Sequence, residues 1–317
     1  LCPLRPLWFN YSVSHRKFIA LGTASQVPTR ERNHNGYFVR WDEQGFLFDP
    51  GEGTQRQMTF AGVSASEITK IFITHFHGDH CLGLPGVLQR LSLDRIAHAV
   101  EIYYPASGQR YFDNLKNASV YTKTAEIVEK PIAAEGIVFQ DKNLIIETRK
   151  LEHSTESWGY RFREPDSVTM LPEKLKEFGI SGRDIGKLKE TGAIEINGKI
   201  VRREDASVFK KGQSFAFVMD TGVCGAAYKL AEDVDFLIIE STFLSSESKE
   251  AFDYRHLTAQ QAAEIARDAN AKQLVLTHFS QRYMNIEDFA AEARGIFPDS
   301  IAVADGQEIE FRREKIL

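Results

Sequence analysis

The chain has 317 residues, of which 43% are hydrophobic and 26% charged, the make-up of a soluble globular protein of one large or two small domains. No apolar run reaches the roughly 20 residues that a membrane-spanning helix needs, so an integral helical membrane protein is excluded and the cytoplasm is the default location. Lys and Arg number 39 against 44 Asp and Glu, for a net charge of −5. A globally basic nucleic-acid binder is therefore excluded, and any anionic partner must be met by a local basic patch.

Residues 1–16 are read as a leader of unknown role, without the apolar core or small-residue cleavage site of a secretory signal. The fold is expected to begin near Lys17. From there FIALGTASQVP, GYFVRWD and GFLFDPGEG are short β-rich runs punctuated by Gly, Pro and Asp, the pattern of hairpins in a mixed sheet. KIFIT reads as a strand, LPGVLQRLSLDRI as a helix with apolar residues at helical spacing, and EIYYP as a strand followed by a helix near Gly108–Ala118. GIVFQ, NLIIETRKLEH and WGYRFRE return to strands. The segment from about Leu171 to Gln213 differs: it carries a net charge of +3 inside a chain of −5, and five glycines lie between Gly179 and Gly198. It reads as an insertion protruding from the core. After it come the strands SFAFVMD and DFLIIEST, the helical HLTAQQAAEIARDA, the strand KQLVLTH, the helical IEDFAAEARGIF, and the closing strands IAVADG and EIEFRR. Two β-then-α stretches on either side of an insertion are satisfied by two sheets packed face to face with helices outside.

The histidines carry the chemistry. Thr74-His75-Phe76-His77-Gly78-Asp79-His80 follows the strand KIFIT directly. Side chains two apart in an extended segment point the same way, so His75 and His77 can grip one ion together. A tight turn at Gly78 then aims Asp79 and His80 at a neighbouring position. Imidazole and carboxylate suit Zn²⁺, with Mn²⁺ or Fe as lesser options, and the lack of local cysteine argues against a closed structural zinc site. The plain alternative is a cluster of surface histidines in a turn. His153, Asp220 and His278 each stand at the C-terminal tip of an apolar run, where a sheet presents functional side chains. Taken singly, each is as readily a turn residue. Cys2, Cys81 and Cys224 are too few and scattered for a disulfide framework, which fits a reducing compartment. Cys81 reads as a small buried hydrophobe.

THFHGDH, a later His, an Asp after a strand and a final THF together resemble the metallo-β-lactamase superfamily. More narrowly, the chain resembles the ribonuclease Z family of tRNA 3′-processing endonucleases. The resemblance runs from Ile19 to Phe311, through GTASQVPTRERN, DPGEGTQRQM, LGLPGVLQR, EHSTESWGYR, MDT, HLTAQQAAEIA, LTHFSQRY and ADGQEIEF. It implies a four-layer αββα metallo-β-lactamase-like sandwich with a protruding arm, which is what the insertion would be. It also implies two Zn²⁺ per chain: His75, His77 and His153 on one ion, Asp79, His80 and His278 on the other, and Asp220 bridging them. Water activated by the metals would attack a phosphodiester of precursor tRNA, with Asp79 taking a proton and His256 acting at the scissile phosphate. Without the resemblance, His256 reads as a helix-capping surface residue. A homodimer is implied as well. The arm departs from the family in one place, since Ile180-Ser181-Gly182-Arg183 lacks the Gly-Pro pair usual at the tip. The competing expectations are another binuclear-zinc phosphodiesterase or arylsulfatase-like hydrolase, which would lack the arm, and a non-catalytic RNA-binding relative with a decayed site.

Overall fold

A computed structural model describes residues 16–311. The expected leader lies outside the described residues except for Arg16, which opens the first strand. Clustering of the chain gives two compact units. The first holds the described residues up to Val138, then Glu147–Arg161, then the described residues from Phe215 onward. The second holds Phe139–Ile146 and Phe162–Ser214.

The chain forms two seven-stranded sheets, most of whose residues belong to the first unit. One runs in the order Glu308–Glu310, Arg16–Gly22, Gly36–Trp41, Gln44–Phe48, Lys70–Phe72, Val100–Pro105 and Ile127–Ile132. The other runs Ser300–Ala302, Gln273–Thr277, Phe236–Glu240, Ser214–Val218, Ser157–Arg163, Ile145–Leu151 and Gly136–Gln140. Alternation along the strands sorts the side chains into layers. Tyr37 and Phe48 of the first sheet point at Phe217 of the second, with ring centres 5.4 and 4.3 Å apart, so the two sheets meet face to face on aromatic residues. On its outer face the first sheet gives Phe38, Leu47, Ile71 and Ile102 to a core shared with Met58, Leu88 and Phe112. Those three come from the helices Thr54–Phe60, Leu84–Leu93 and Gln109–Lys116. The second sheet gives Ala216, Val218, Leu237, Ile239, Leu274 and Leu276 to a core with Ala227, Ala263 and Phe289. Those belong to the helices Gly225–Ala231, Ala259–Asp268 and Glu287–Arg294. Helix, sheet, sheet, helix is the αββα sandwich.

Two local expectations change. After GFLFDPGEG, read with the hairpins, the chain becomes a helix from Thr54 as soon as Gly53 (φ 84) has turned it. HLTAQQAAEIARDA becomes helical only at Ala259, because Thr258 caps it: its side chain accepts from Gln261 N–H while the Gln261 side chain accepts from Thr258 N–H.

The second unit has a small core of its own: Leu175, Ile180, Leu188, Ile194, Val201 and Ala206. It begins ahead of the Leu171 suggested by composition, because Ser167–Met170 pairs antiparallel with Ser207–Lys210 as a stem. Beyond the stem lie the helices Pro172–Glu177 and Arg183–Thr191 and a hairpin of Ala193–Ile196 and Lys199–Arg202. Among the described residues, no helix is long and apolar enough to cross a membrane.

Candidate metal centre

Most of the ligand-type residues stand where parallel strands end, and His153 follows the strand Ile145–Leu151. In the first sheet Phe48 pairs with Phe72, which puts Asp49 beside Thr74. Thr74 N–H donates to Asp49 Oδ1 at 2.7 Å and its hydroxyl to Oδ2 at 2.8 Å. In the second sheet Val218 pairs with Ile239 and Glu240 with Thr277, which brings Asp220, Glu240 and His278 to one edge. Asp49, Asp220 and His278 all have left-handed backbones, with φ of 42, 40 and 65°. Non-glycine residues held there store strain, and such strain gathers at functional sites. The loop after Asp49 presses on the metal motif. A Cβ on Gly51 would sit 2.1 Å from the Asp79 carbonyl oxygen, and one on Gly83 would sit 1.9 Å from that of Gly51, so neither position admits a side chain.

The side chains converge in two groups whose ligand atoms lie within 4.8 Å of one another: His75, His77, His153 and Asp220, and Asp79, His80 and His278. His77 Nδ1 lies 2.9 Å from His75 Nε2 and 3.3 Å from His153 Nε2. Asp220 Oδ2 is 3.6 Å from both His75 Nε2 and His153 Nε2, while its Oδ1 is 3.1 Å from both His80 Nε2 and His278 Nε2. One carboxylate thus faces both groups, an oxygen to each. Asp79 Oδ2 is 3.3 Å from His80 Nε2 and 3.5 Å from His278 Nε2. A third grouping sets His256 with Asp220 and His278.

The donor chemistry fits divalent cations. Asp220 Oδ1 and His278 Nε2 are buried and have no hydrogen-bond partner, a costly arrangement that a cation between such atoms would satisfy. Burial holds His75, His77 and His153 below the ordinary histidine pKa, in the neutral form that ligates. Burial also opposes ionisation of Asp220, but His278, His80 and His75 around it hold its carboxyl well below the usual range.

Four of the five rings are aimed from behind. His75 Nδ1 lies 3.0 Å from Thr74 Oγ1, His80 Nδ1 2.9 Å from Asp49 Oδ2, His153 Nδ1 3.1 Å from the Arg255 carbonyl, and His278 Nδ1 2.7 Å from Thr242 Oγ1. These four present Nε2 inward, whereas His77 presents Nδ1. Such outer partners fix the tautomer and orientation of a ligating imidazole.

A family model described as the metallo-beta-lactamase superfamily matches residues 29–166, and one described as a beta-lactamase superfamily domain matches residues 205–279. The chain is 52% identical to ribonuclease Z of Salinispora arenicola, over 92% of this chain and 95% of that one. It is 46% identical to ribonuclease Z of Chlamydia muridarum, over 94% of this chain and 98% of that one. The chain belongs to the ribonuclease Z family. Among solved structures, human tRNase Z, short form, superposes with a TM-score of 0.68 at 25% identity, covering 94% of this chain and 100% of that one. The fold is that of the metallo-β-lactamase superfamily, and family membership makes the protein an endoribonuclease with a divalent-metal site.

In this ribonuclease Z family member, His75, His77, Asp79, His80, His153, Asp220 and His278 all meet at one place. Asp79 and His80 reach it from a single helical turn, Gly78–Cys81, and Gly78 needs no unusual φ there. His256 does not cap a helix, since Thr258 does. Its Nδ1 lies 2.8 Å from Glu240 Oε1 and its Nε2 3.9 Å from Asp220 Oδ2. Burial opposes its protonation, but the Glu240 carboxylate pushes it up to about 9. Cys81 is buried.

Sequence reasoning missed the supporting residues. Glu240 is fully buried and accepts from Thr221 N–H at 2.7 Å, Thr242 Oγ1 at 2.6 Å and Leu257 N–H at 3.2 Å. Asn35 donates from Nδ2 to Asp79 Oδ2 at 3.3 Å and accepts from Tyr37 OH at 2.6 Å. The available signal was a carboxylate closing an apolar run: Asp49 after GFLF and Glu240 after DFLII.

Proposed function

We propose that the protein removes the 3′ trailer of precursor tRNA as a zinc-dependent endoribonuclease holding two Zn²⁺. His75, His77 and His153 would hold one ion, Asp79, His80 and His278 the other, and Asp220 would serve both. The observation that carries this reading is the pair of orphaned buried atoms, Asp220 Oδ1 and His278 Nε2, within the seven converging ligands. Two bound divalent ions would lower the pKa of a water and neutralise charge gathering on the phosphate oxygens. The residues supply the rest. Asp79 gives Oδ2 to His80 and His278, which leaves Oδ1 to accept a proton from water. The water oxygen joins phosphorus as the bond to the 3′ oxygen breaks. His256 is held through Nδ1 by Glu240, so Nε2 is the atom that gives that oxygen its proton. Its fixed partner favours this proton-donor role over a place among the metal ligands.

The family resemblance supports a homodimer, a cytoplasmic location and a tRNA-clamping arm in the second unit. The test of function is incubation with zinc and a 3′-extended precursor tRNA, which should yield one trailer and one trimmed tRNA. Hydrolysis of bis-p-nitrophenyl phosphate without cleavage of the RNA would instead make it another phosphodiesterase of the superfamily.

A further inference from the structure

The cavity over the metal ligands has a volume of about 500 Å³ and continues past them to a rim that the hydrolytic step does not use. Phe243, Tyr254 and Arg282 stand on that rim. Phe243 is locked in place: its N–H donates to the Leu257 carbonyl, its own carbonyl accepts from Ala259 N–H, and its ring is buried. The Arg282 guanidinium carbon lies 5.0 Å from the centre of that ring, a cation–π placement.

Tyr254 is 62% exposed, yet its ring lies within 18° of parallel to Phe243, with the ring centres 6.5 Å apart. Its position is set by its neighbour. Tyr254 ends the helix Ser248–Tyr254, and Arg255 turns the chain with a φ of 57°. The Arg255 carbonyl lies 3.1 Å from His153 Nδ1, and its guanidinium donates to the His153 carbonyl at 2.8 Å. A large, exposed aromatic residue is thus tied to the loop of a metal ligand, at the mouth of the cavity that must admit the scissile phosphate.

We infer that Tyr254, backed by Phe243 and Arg282, is a nucleobase subsite that stacks the unpaired base next to the scissile phosphate. The inference rests on the proposed RNA-cleaving function. Single-stranded RNA is recognised by stacking its bases on aromatic rings and on guanidinium planes. Such stacking tolerates any base, because every base has a π face. Its role is positional: a base held beside the metal ligands places its phosphate for attack.

The test couples a protein change to an RNA change. Tyr254→Ala should lower kcat/KM on a 3′-extended precursor tRNA about tenfold or more, and leave hydrolysis of bis-p-nitrophenyl phosphate and metal content as in the wild type. Tyr254→Phe should retain cleavage, since it keeps the ring. An abasic nucleotide is then placed on either side of the scissile phosphate in turn. At one of the two positions it should cost the wild type a similar factor and cost Tyr254→Ala nothing more. Wild-type cleavage by Tyr254→Ala, or losses that multiply at both positions, overturns the subsite and leaves the function standing. A wild type that hydrolyses bis-p-nitrophenyl phosphate but cleaves no RNA removes the function, and the subsite with it.

Discussion

The proposed mechanism gives Asp79 two roles, one as a ligand shared with His80 and His278 and one as proton acceptor. Asp79→Ala removes both, and a general base alone contributes about a hundredfold or more. Turnover of bis-p-nitrophenyl phosphate should fall at least that far, and a variant turning over near the wild-type rate would place the base elsewhere. Glu240 separates aiming from ligation, because it touches His256 and Thr242 but belongs to none of the metal-holding groups. Glu240→Gln should therefore cut kcat by about tenfold to a hundredfold, as loss of an orienting partner does, while metal analysis finds as many ions per chain as in the wild type. Loss of an ion along with activity would make Glu240 part of ligand support. The contrast explains what was legible in the sequence. His75, His77, Asp79 and His80 lie within six positions, so local geometry alone implicates them. Asp49 and Glu240 act only through strand pairing that sets Phe48 beside Phe72 and Glu240 beside Thr277, and of that long-range register the sequence shows locally only a carboxylate closing an apolar run.

Elements were legible where their periodicity was long and their ends were marked. LPGVLQRLSL shows its apolar stripe and becomes Leu84–Leu93, whereas GAAYKLA is too short to show a period and gave no signal for Gly225–Ala231. The helix Arg183–Thr191 was hidden by Gly182, Gly186 and Gly192, two of which flank it as cap residues. The face-to-face sheets are a consequence of Phe alternation. Phe215 and Phe217 point inward while Ala216 and Val218 join the outer core. Phe217 is fully buried, its ring centre 4.3 Å from that of Phe48 and 5.4 Å from that of Tyr37. Phe217→Ala should cost about 3–5 kcal/mol, the range for a large aromatic cut to Ala in a packed core, measured as a lowered midpoint in urea. A loss below about 1 kcal/mol would mean that the inter-sheet layer can collapse around the gap.

The proposed function divides the labour between two units, and the division can be tested by removing most of one. The two large cores are built entirely of first-unit residues, and the second unit has its own core of Leu175, Ile180, Leu188, Ile194, Val201 and Ala206. Met170 pairs with Ser207 at the end of the stem, so a short Gly-Ser linker can replace residues 171–206 without stretching the chain. Every metal-ligand candidate lies outside that stretch. Metal content and bis-p-nitrophenyl phosphate hydrolysis should survive, because a small phosphodiester needs only the site itself. Precursor tRNA is different. The replaced stretch 171–206 carries eight of the ten Lys and Arg residues of segment 171–213, against seven Asp and Glu, and binding energy made far from the reacting atoms is what orients a large substrate. Cleavage of precursor tRNA should fall sharply, and the logarithm of its affinity should depend less steeply on salt concentration, since fewer phosphates are neutralised. The tip is the most exacting part of this expectation, because Ile180-Ser181-Gly182-Arg183 lacks a Gly-Pro pair and charge alone must then serve for contact. An armless protein that trims precursor tRNA as fast as the intact chain, with the same salt slope, would make the second unit solvated surface and leave substrate placement to the rim of the metal cavity.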